Sequence, residues 1–229
     1  MKKILLFFYG LFVFLLLFSS GANASLIAIG TATYGGSDYN LIWDDDNNGN
    51  SLVWLDYSHT DAKWSDQLNW AAGLDQHLTI NIYNNFHVKW DDTGWRLPSG
   101  GPSLSPGYNV RTSEMGHLFY SELGLSSGNN PETTAEELNA LHFQNMVASW
   151  YWTSSPSATN LDTASYFTMR TGYQHYANKE NQSLYSIAVR DITVSIVPEP
   201  GTMLLLSFGL LGLAGVSRKK NYNKFLNEI

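Results

Sequence analysis

The chain has 229 residues, 44% of them hydrophobic, a formal charge of −7 and no cysteine, enough for one good-sized domain or two small ones. Without cysteine it has no disulfide framework, thiol catalysis, iron–sulfur cluster or sulfur-ligated zinc. Between residues 25 and 197 eighteen acidic side chains face seven basic ones, a net charge of −11, which argues against nucleic acid or an anionic membrane surface as partner, because phosphate neutralisation needs a basic face.

Lys2 and Lys3, the apolar run from Ile4 to Phe18 and the small-residue stretch Ala22-Asn23-Ala24 have the order of a secretory signal peptide. Residues 1–24 are expected to be removed by signal peptidase after Ala24, so that the mature chain starts at Ser25. Next, Tyr39–Trp43 and Ser51–Asp56 are aromatic and β-branched runs joined by Asp44–Asn50, which predicts a hairpin. The joining stretch matches the first half of a calcium loop, with Asp44, Asp46, Asn48 and Asn50 as oxygen donors and Gly49 at the turn. Its twelfth position is Leu55 where a bidentate Glu is required, so an EF-hand is excluded. What remains is a weak extracellular Ca²⁺ site or a solvated turn, since Asp, Asn and Gly are also ordinary turn residues.

Trp64, Leu68, Ala71, Ala72 and Leu78 recur at helical spacing and predict a helix over 64–78. A second, over 113–123, has Ser113 as cap, Glu114 in its first turn and Gly124 as its stop. Thr133-Thr134-Ala135-Glu136 has capping-box spacing and predicts a third through Leu141. Four β-type runs follow, over 149–154, 164–170, 185–189 and 192–197. Helices in the middle with strands on both sides predict one α+β domain, residues 25–197. Its six histidines lack zinc-ligand spacing and no Gly-x-Ser-x-Gly elbow marks a nucleophile. Trp150-Tyr151-Trp152 with Tyr166, Tyr173, His175, Tyr176 and Tyr185 form an aromatic set interleaved with amides and hydroxyls, a composition that suits sugars. Alternation favours core over ligand binding for Trp150 and Trp152, whereas Tyr173, His175 and Tyr176, in a polar turn-like stretch, are candidate ligand-binding residues.

At the C-terminus an uncharged apolar segment over 202–217 precedes Arg218-Lys219-Lys220. It spans about 22 Å as a helix, short for a hydrocarbon core of about 30 Å, and the basic cluster assigns its far end and the tail 221–229 to the cytoplasm. Pro198-Glu199-Pro200 lies just before it, held extended by its two prolines. This order of motif, short apolar helix and basic cluster over 198–220 resembles the PEP-CTERM sorting signal of exopolysaccharide-producing Gram-negative bacteria. The resemblance implies an exosortase as partner, cutting near Pro198, Glu199 and Pro200. The chain would be anchored transiently by its helix and then released to the cell surface or extracellular matrix.

A second set of landmarks runs through Leu52–Asp56, Trp70–Leu74, Gly94–Ser99, Glu114-Met115, Trp150–Ser155 and Ala188–Asp191. In that order they resemble the DUF1566 domain, also called the Lcl C-terminal domain, over about 40–195. The Arg-Leu-Pro stretch and the terminal Val-Arg also resemble the formylglycine-generating family, which implies a C-type-lectin-like core; a longer surface loop is expected at 100–111. Enzymes of that family work through cysteines, which this chain lacks. Arg96 and Arg190 offer a ligand-binding reading too, but their apolar surroundings favour a structural one, with Glu114 and Asp191 as partners. The expectation is a non-catalytic, cofactor-free surface or matrix protein that binds or organises exopolysaccharide. A secreted enzyme acting on glycans through Asp and Glu is the alternative, because such carboxylate pairs leave no local spacing to read.

Overall fold

The computed structural model describes residues 26–102, 104–128, 134, 136–138, 142–197, 201 and 205–210. The signal peptide with Ala24, the Pro198-Glu199-Pro200 motif, most of the apolar segment after it and the tail lie outside them. No helix among the described residues is long and apolar enough to cross a membrane.

Three antiparallel strands open the domain: β1 (Leu26–Tyr34), β2 (Ser37–Asn47) and β3 (Asn50–Ala62). Both of their turns are two residues long, Gly35-Gly36 and Asn48-Gly49, with φ of 58° and 84° and of 54° and 83°. Such positive pairs favour glycine and asparagine and match the twist of the flanking strands. Helix α1 (Trp64–Gly73) follows, extended by a 3-10 turn over Leu74–Gln76, and then come β4 (Thr79–Ile82) and β5 (Phe86–Trp90). Helix α2 (Glu114–His117) runs into a π turn over Leu118–Glu122. Strands β6 (Trp150–Pro156), β7 (Thr163–Thr168), β8 (Gln174–Asn178) and β9 (Leu184–Ile196) complete one sheet in the order β4-β1-β2-β3-β9-β6-β7-β8, with β5 paired to the far end of β9. Only β6 and β9 run parallel.

The core lies on both faces of this sheet. Leu52, Trp54, Ile187 and Val189 pack on one side with Met115, Leu118 and Phe119 of α2 and its π turn. Val53, Leu55, Ala188 and Ile192 pack on the other with Ala71 and Leu74, Trp95 and Leu97. Burial on both faces is why β3 and β9 read as continuous apolar runs rather than as alternating ones.

Polar anchors fix the connections. The Ser113 hydroxyl caps α2 by accepting from Gly116 N–H at 3.1 Å, and a Cβ at Gly116 would sit 1.9 Å from the Val110 carbonyl oxygen. The Asp56 carboxylate, wholly buried, accepts the backbone N–H of Gln144 at 2.8 Å and of Asn145 at 3.0 Å. Arg96 joins three segments. Its backbone bridges Val189 of β9, and its guanidinium donates to both Glu114 oxygens at 2.8 Å and to Asp191 at 3.1 Å. These are the two carboxylates proposed as its partners from the sequence. Glu114 also accepts Ser99 N–H at 2.6 Å.

The element pattern departs from expectation in several places. The domain is mostly β-sheet with few helices, not an even α+β mixture. Strands β1, β4, β5 and β8 were not expected, and the two runs over 185–189 and 192–197 form the single strand β9. The capping box sits one residue later than its spacing indicated: Glu137 accepts Thr134 N–H at 2.7 Å and Thr134 Oγ1 accepts Glu137 N–H at 3.2 Å. Of the helix expected over 133–141, most residues fall outside those described, and 136–138 are helical.

Removing Arg96 leaves Glu114, with 10% of its side chain exposed, without its charged partner. With Arg96 itself 28% exposed, Arg96→Ala is expected to destabilise the domain by about 2–3 kcal/mol in urea unfolding, toward the low end of a broken buried pair. The double variant with Glu114→Ala should lose clearly less than the sum of the two single ones; additive losses would show that the pair does not couple.

Candidate functional site

The face of the sheet that α1 covers is only partly covered. Trp152 lies under α1 and is wholly buried, its indole donating to the Ala62 carbonyl at 3.1 Å, while Trp64 of α1 donates to the Thr153 carbonyl at 2.8 Å. Two residues earlier on the same face of β6, beyond the reach of α1, Trp150 is 43% exposed. It is therefore not a core residue, as its alternation with Trp152 had suggested. Its ring stacks on Tyr166 of β7 with centroids 5.3 Å apart and planes at 17°.

Antiparallel pairing carries this aromatic surface across the sheet. Trp150 lies opposite Thr168, Tyr166 opposite His175 of β8, and directly opposed residues share a face. Tyr173 stacks on His175 at 5.8 Å, and Tyr108 meets Tyr173 edge-on at 4.7 Å. Two solvent-open clefts flank the Trp150 indole. One, of about 370 Å³, has Asp61, Ser149, Gln182 and Tyr185 in its wall, and the other, of about 200 Å³, has Tyr108, Tyr166, Thr171 and Tyr173; Arg170 borders both. Burial, then the neighbouring Tyr173, raises the pKa of Tyr166 and keeps its hydroxyl protonated.

The platform is held from behind. Gly172 turns β7 into β8 at φ 75°, and a Cβ there would lie 2.3 Å from the Tyr120 hydroxyl. That hydroxyl donates to the Gly172 carbonyl at 2.6 Å and accepts Asn109 N–H at 3.0 Å. The long loop expected over 100–111 runs along the β8 edge: Gly107 and Gln174 exchange backbone hydrogen bonds of 2.9 Å in both directions, and Gln174 Nε2 donates to the Gly100 carbonyl at 3.0 Å. The loop covers an otherwise open sheet edge and delivers Tyr108 to the platform. Tyr176 works on this side too, its hydroxyl donating to the Leu104 carbonyl. Of the three ligand candidates, Tyr173 and His175 thus join the aromatic face, and Tyr176 is committed to the loop.

The other candidate residues are dispersed. Asp44 is wholly buried, accepting from Trp54 Nε1 at 3.1 Å and Asn47 Nδ2 at 2.8 Å, while the Asp46 carboxylate accepts Gly49 N–H at 2.9 Å at the surface. Asn48 and Asn50 are exposed at the turn, so the four do not converge on one point. Among the described residues no group of three or more His, Asp or Glu side chains is placed to hold a metal. Arg190 pairs with Asp75, donates to the Asp91 carbonyl at 2.8 Å and lies 5.2 Å over the Trp90 ring; unlike Arg96 it does not reach Asp191 or Glu114. From the sequence Trp150 is favoured as core, Tyr166 stands only within a general aromatic set, and Tyr108 is missed. Only the strand pairing and the position of α1 distinguish them from core aromatics.

Residues 197–219 match the PEP-CTERM protein-sorting motif. The motif marks the chain for exosortase-dependent sorting, with export and a surface or extracellular location in Gram-negative bacteria. No curated protein and no solved structure is detectably similar to the chain.

Burial raises the pKa of Asp44, outweighing the hydrogen bonds from Asn47 and Trp54 that lower it, and burial likewise raises Asp56 and Glu122. A carboxyl whose folded value lies above its unfolded value, near 4, adds stability below the unfolded value and loses it as pH rises through the folded one. Unfolding free energy is therefore expected to fall as pH rises above about 4, with a shallower slope in Asp44→Asn. A slope of the opposite sign, or the same slope in both proteins, would contradict this.

Proposed function

We propose that the domain is a non-catalytic, glycan-binding protein of the cell surface or extracellular matrix, delivered by exosortase sorting and contacting exopolysaccharide through its aromatic face. The observation that carries this reading is Trp150, exposed on a flat sheet face and stacked with Tyr166 beside two clefts walled by amides and hydroxyls. Indole and phenol rings stack on the apolar face of a pyranose while neighbouring polar groups meet its hydroxyls. Asp61 is the one carboxylate in the cleft walls, whereas glycoside hydrolysis uses two carboxyl groups about 5–9.5 Å apart. That favours binding over catalysis.

In this reading signal peptidase cuts after Ala24 and an exosortase cuts near Pro198-Glu199-Pro200, leaving residues 25–197 as the mature domain. The domain is DUF1566-like with a C-type-lectin-like core. In support, two of the landmarks, Gly94–Ser99 and Ala188–Asp191, meet through the Arg96–Val189 bridge and the Arg96–Asp191 ion pair. No cofactor is needed, and calcium is dispensable because Asp44 is buried while Asp46, Asn48 and Asn50 stay at the surface, so the four oxygen donors do not meet.

Two measurements test the proposal. Replacing Pro198 and Pro200 with Ala is expected to keep the protein in the membrane fraction, and unchanged release would remove the processing step. On a glycan array, the full chain in a sugar-free detergent is expected to bind polysaccharide equally with and without Ca²⁺. Trp150→Ala should lose that binding while melting within a few degrees of the unaltered chain; a variant that binds as well as the parent would overturn the reading.

A further inference from the structure

We infer that the aromatic face takes an internal stretch of a neutral polysaccharide, laid across Trp150 with successive sugars in the clefts on either side; this rests on the glycan-binding reading above. The first argument is shape. Trp150 lines both clefts and forms the ridge between them, as does Arg170. At about 200 Å³ the smaller cleft falls below the usual range of small-molecule pockets, about 300–1,000 Å³, and the larger, at about 370 Å³, lies at its low end. Both open to solvent, so a chain enters over one side of the indole and leaves over the other, and no wall selects a chain end.

The second argument is the distribution of polar groups. The larger cleft offers the Gln182 amide, the Ser149 hydroxyl and the Asp61 carboxylate, and the smaller offers Thr171 and the hydroxyls of Tyr108 and Tyr173. Asp61, Gln182 and Tyr108 are exposed, and amides and hydroxyls that both donate and accept match the dense hydroxyls of a sugar on each side of the ridge. Hydrogen bonds on both sides of one stacking ring make affinity depend on ligand length.

The third argument is charge. One cation, Arg170, and one anion, Asp61, face the two clefts, so the site carries no cluster of basic groups to pair with uronate, sulfate or phosphate. The domain around it has a net charge of −11, and that field repels a polyanion at low ionic strength. Polyanionic matrix polymers are thereby excluded, and neutral glucans, mannans or galactans remain.

The test uses the full chain in a sugar-free detergent and titrates neutral glucan, mannan and galactan oligosaccharides of two to six units, with oligogalacturonates of the same lengths, followed by tryptophan fluorescence and calorimetry. For one neutral series affinity should rise about tenfold or more from dimer to hexamer, equivalent to about 1.4 kcal/mol, and the uronates should bind more weakly, most of all at low salt. Gln182→Ala should lower affinity for the hexamer, and so flatten the rise of affinity with length. Trp150→Ala should abolish both, and Trp150→Phe should retain part. Neutral binding that is flat with length, or a hexamer affinity unaffected by Gln182→Ala, would overturn the two-cleft arrangement. Preferred binding of uronates that is lost in Trp150→Ala would overturn the neutral specificity while leaving the aromatic face as a glycan site. If neither series binds, both this inference and the glycan reading fall.

Discussion

Arg96 is the residue on which the rest of the domain depends. Its planar fork meets both oxygens of Glu114 and reaches Asp191, while its backbone pairs with Val189. One side chain thereby ties the segment after β5, the first turn of α2 and the centre of β9, elements far apart in the chain. A guanidinium suits this place because it presents several donors in a fixed plane and cannot lose its charge; a lysine would offer one point of attachment. Its two acidic partners raise its pKa in spite of the burial that opposes them. The polar chain continues past Glu114. Its backbone carbonyl accepts from Asn47 Nδ2 at 3.2 Å, Asn47 donates to Asp44, and Asp44 accepts the Trp54 indole. The acidic stretch that reads like half a calcium loop is thus, at Asp44 and Asn47, the inner end of this network.

That stretch shows where sequence reading reaches and where it stops. Its hairpin was legible because aromatic and β-branched runs flank an Asn-Gly pair, and local chemistry decides such a turn. The inward direction of Asp44 was not, because β2 continues through Asn47 and a register shift between Asp44 and Asn47 re-aims the side chains. Helix α2 and its Ser113 cap were legible for the same local reason. Strand β1 escaped notice because Ala28, Gly30 and Ala32 weaken its apolar signal, although Gly30 is needed there: a Cβ would lie 2.3 Å from the Asn81 carbonyl oxygen. Strands β4 and β5 are short and half-buried, and a window of four or five residues carries little periodicity.

The aromatic face was harder still. Trp150 and Trp152 occupy equivalent positions in the alternation of β6, and nothing within that strand separates them. The distinction comes from α1, a helix some eighty residues earlier, whose cover ends between them. Tyr108 is more remote yet, carried to Tyr173 by a loop that exists to close the β8 edge. Candidate ligand residues at Tyr173 and His175 were readable from composition, but the residue that organises them was readable only from the fold.

The way the platform is mounted bears on what it can do. Tyr151, the neighbour of Trp150, and Phe167, the neighbour of Tyr166, lie opposite each other on the other face and are wholly buried. The Tyr151 hydroxyl is further fixed by Ser58 at 2.7 Å and the Val147 backbone at 2.8 Å. The exposed rings thus stand on strands anchored from the opposite face, already stacked on each other, and little side-chain freedom is left to lose when a ligand lands on them. Ordering an interface side chain costs about 0.5–1.5 kcal/mol, a large share of the weak affinity expected from one or two stacked sugars. A rigid, shallow surface of this kind suits repeated low-affinity contact along a polymer, which is what the proposed function asks of it.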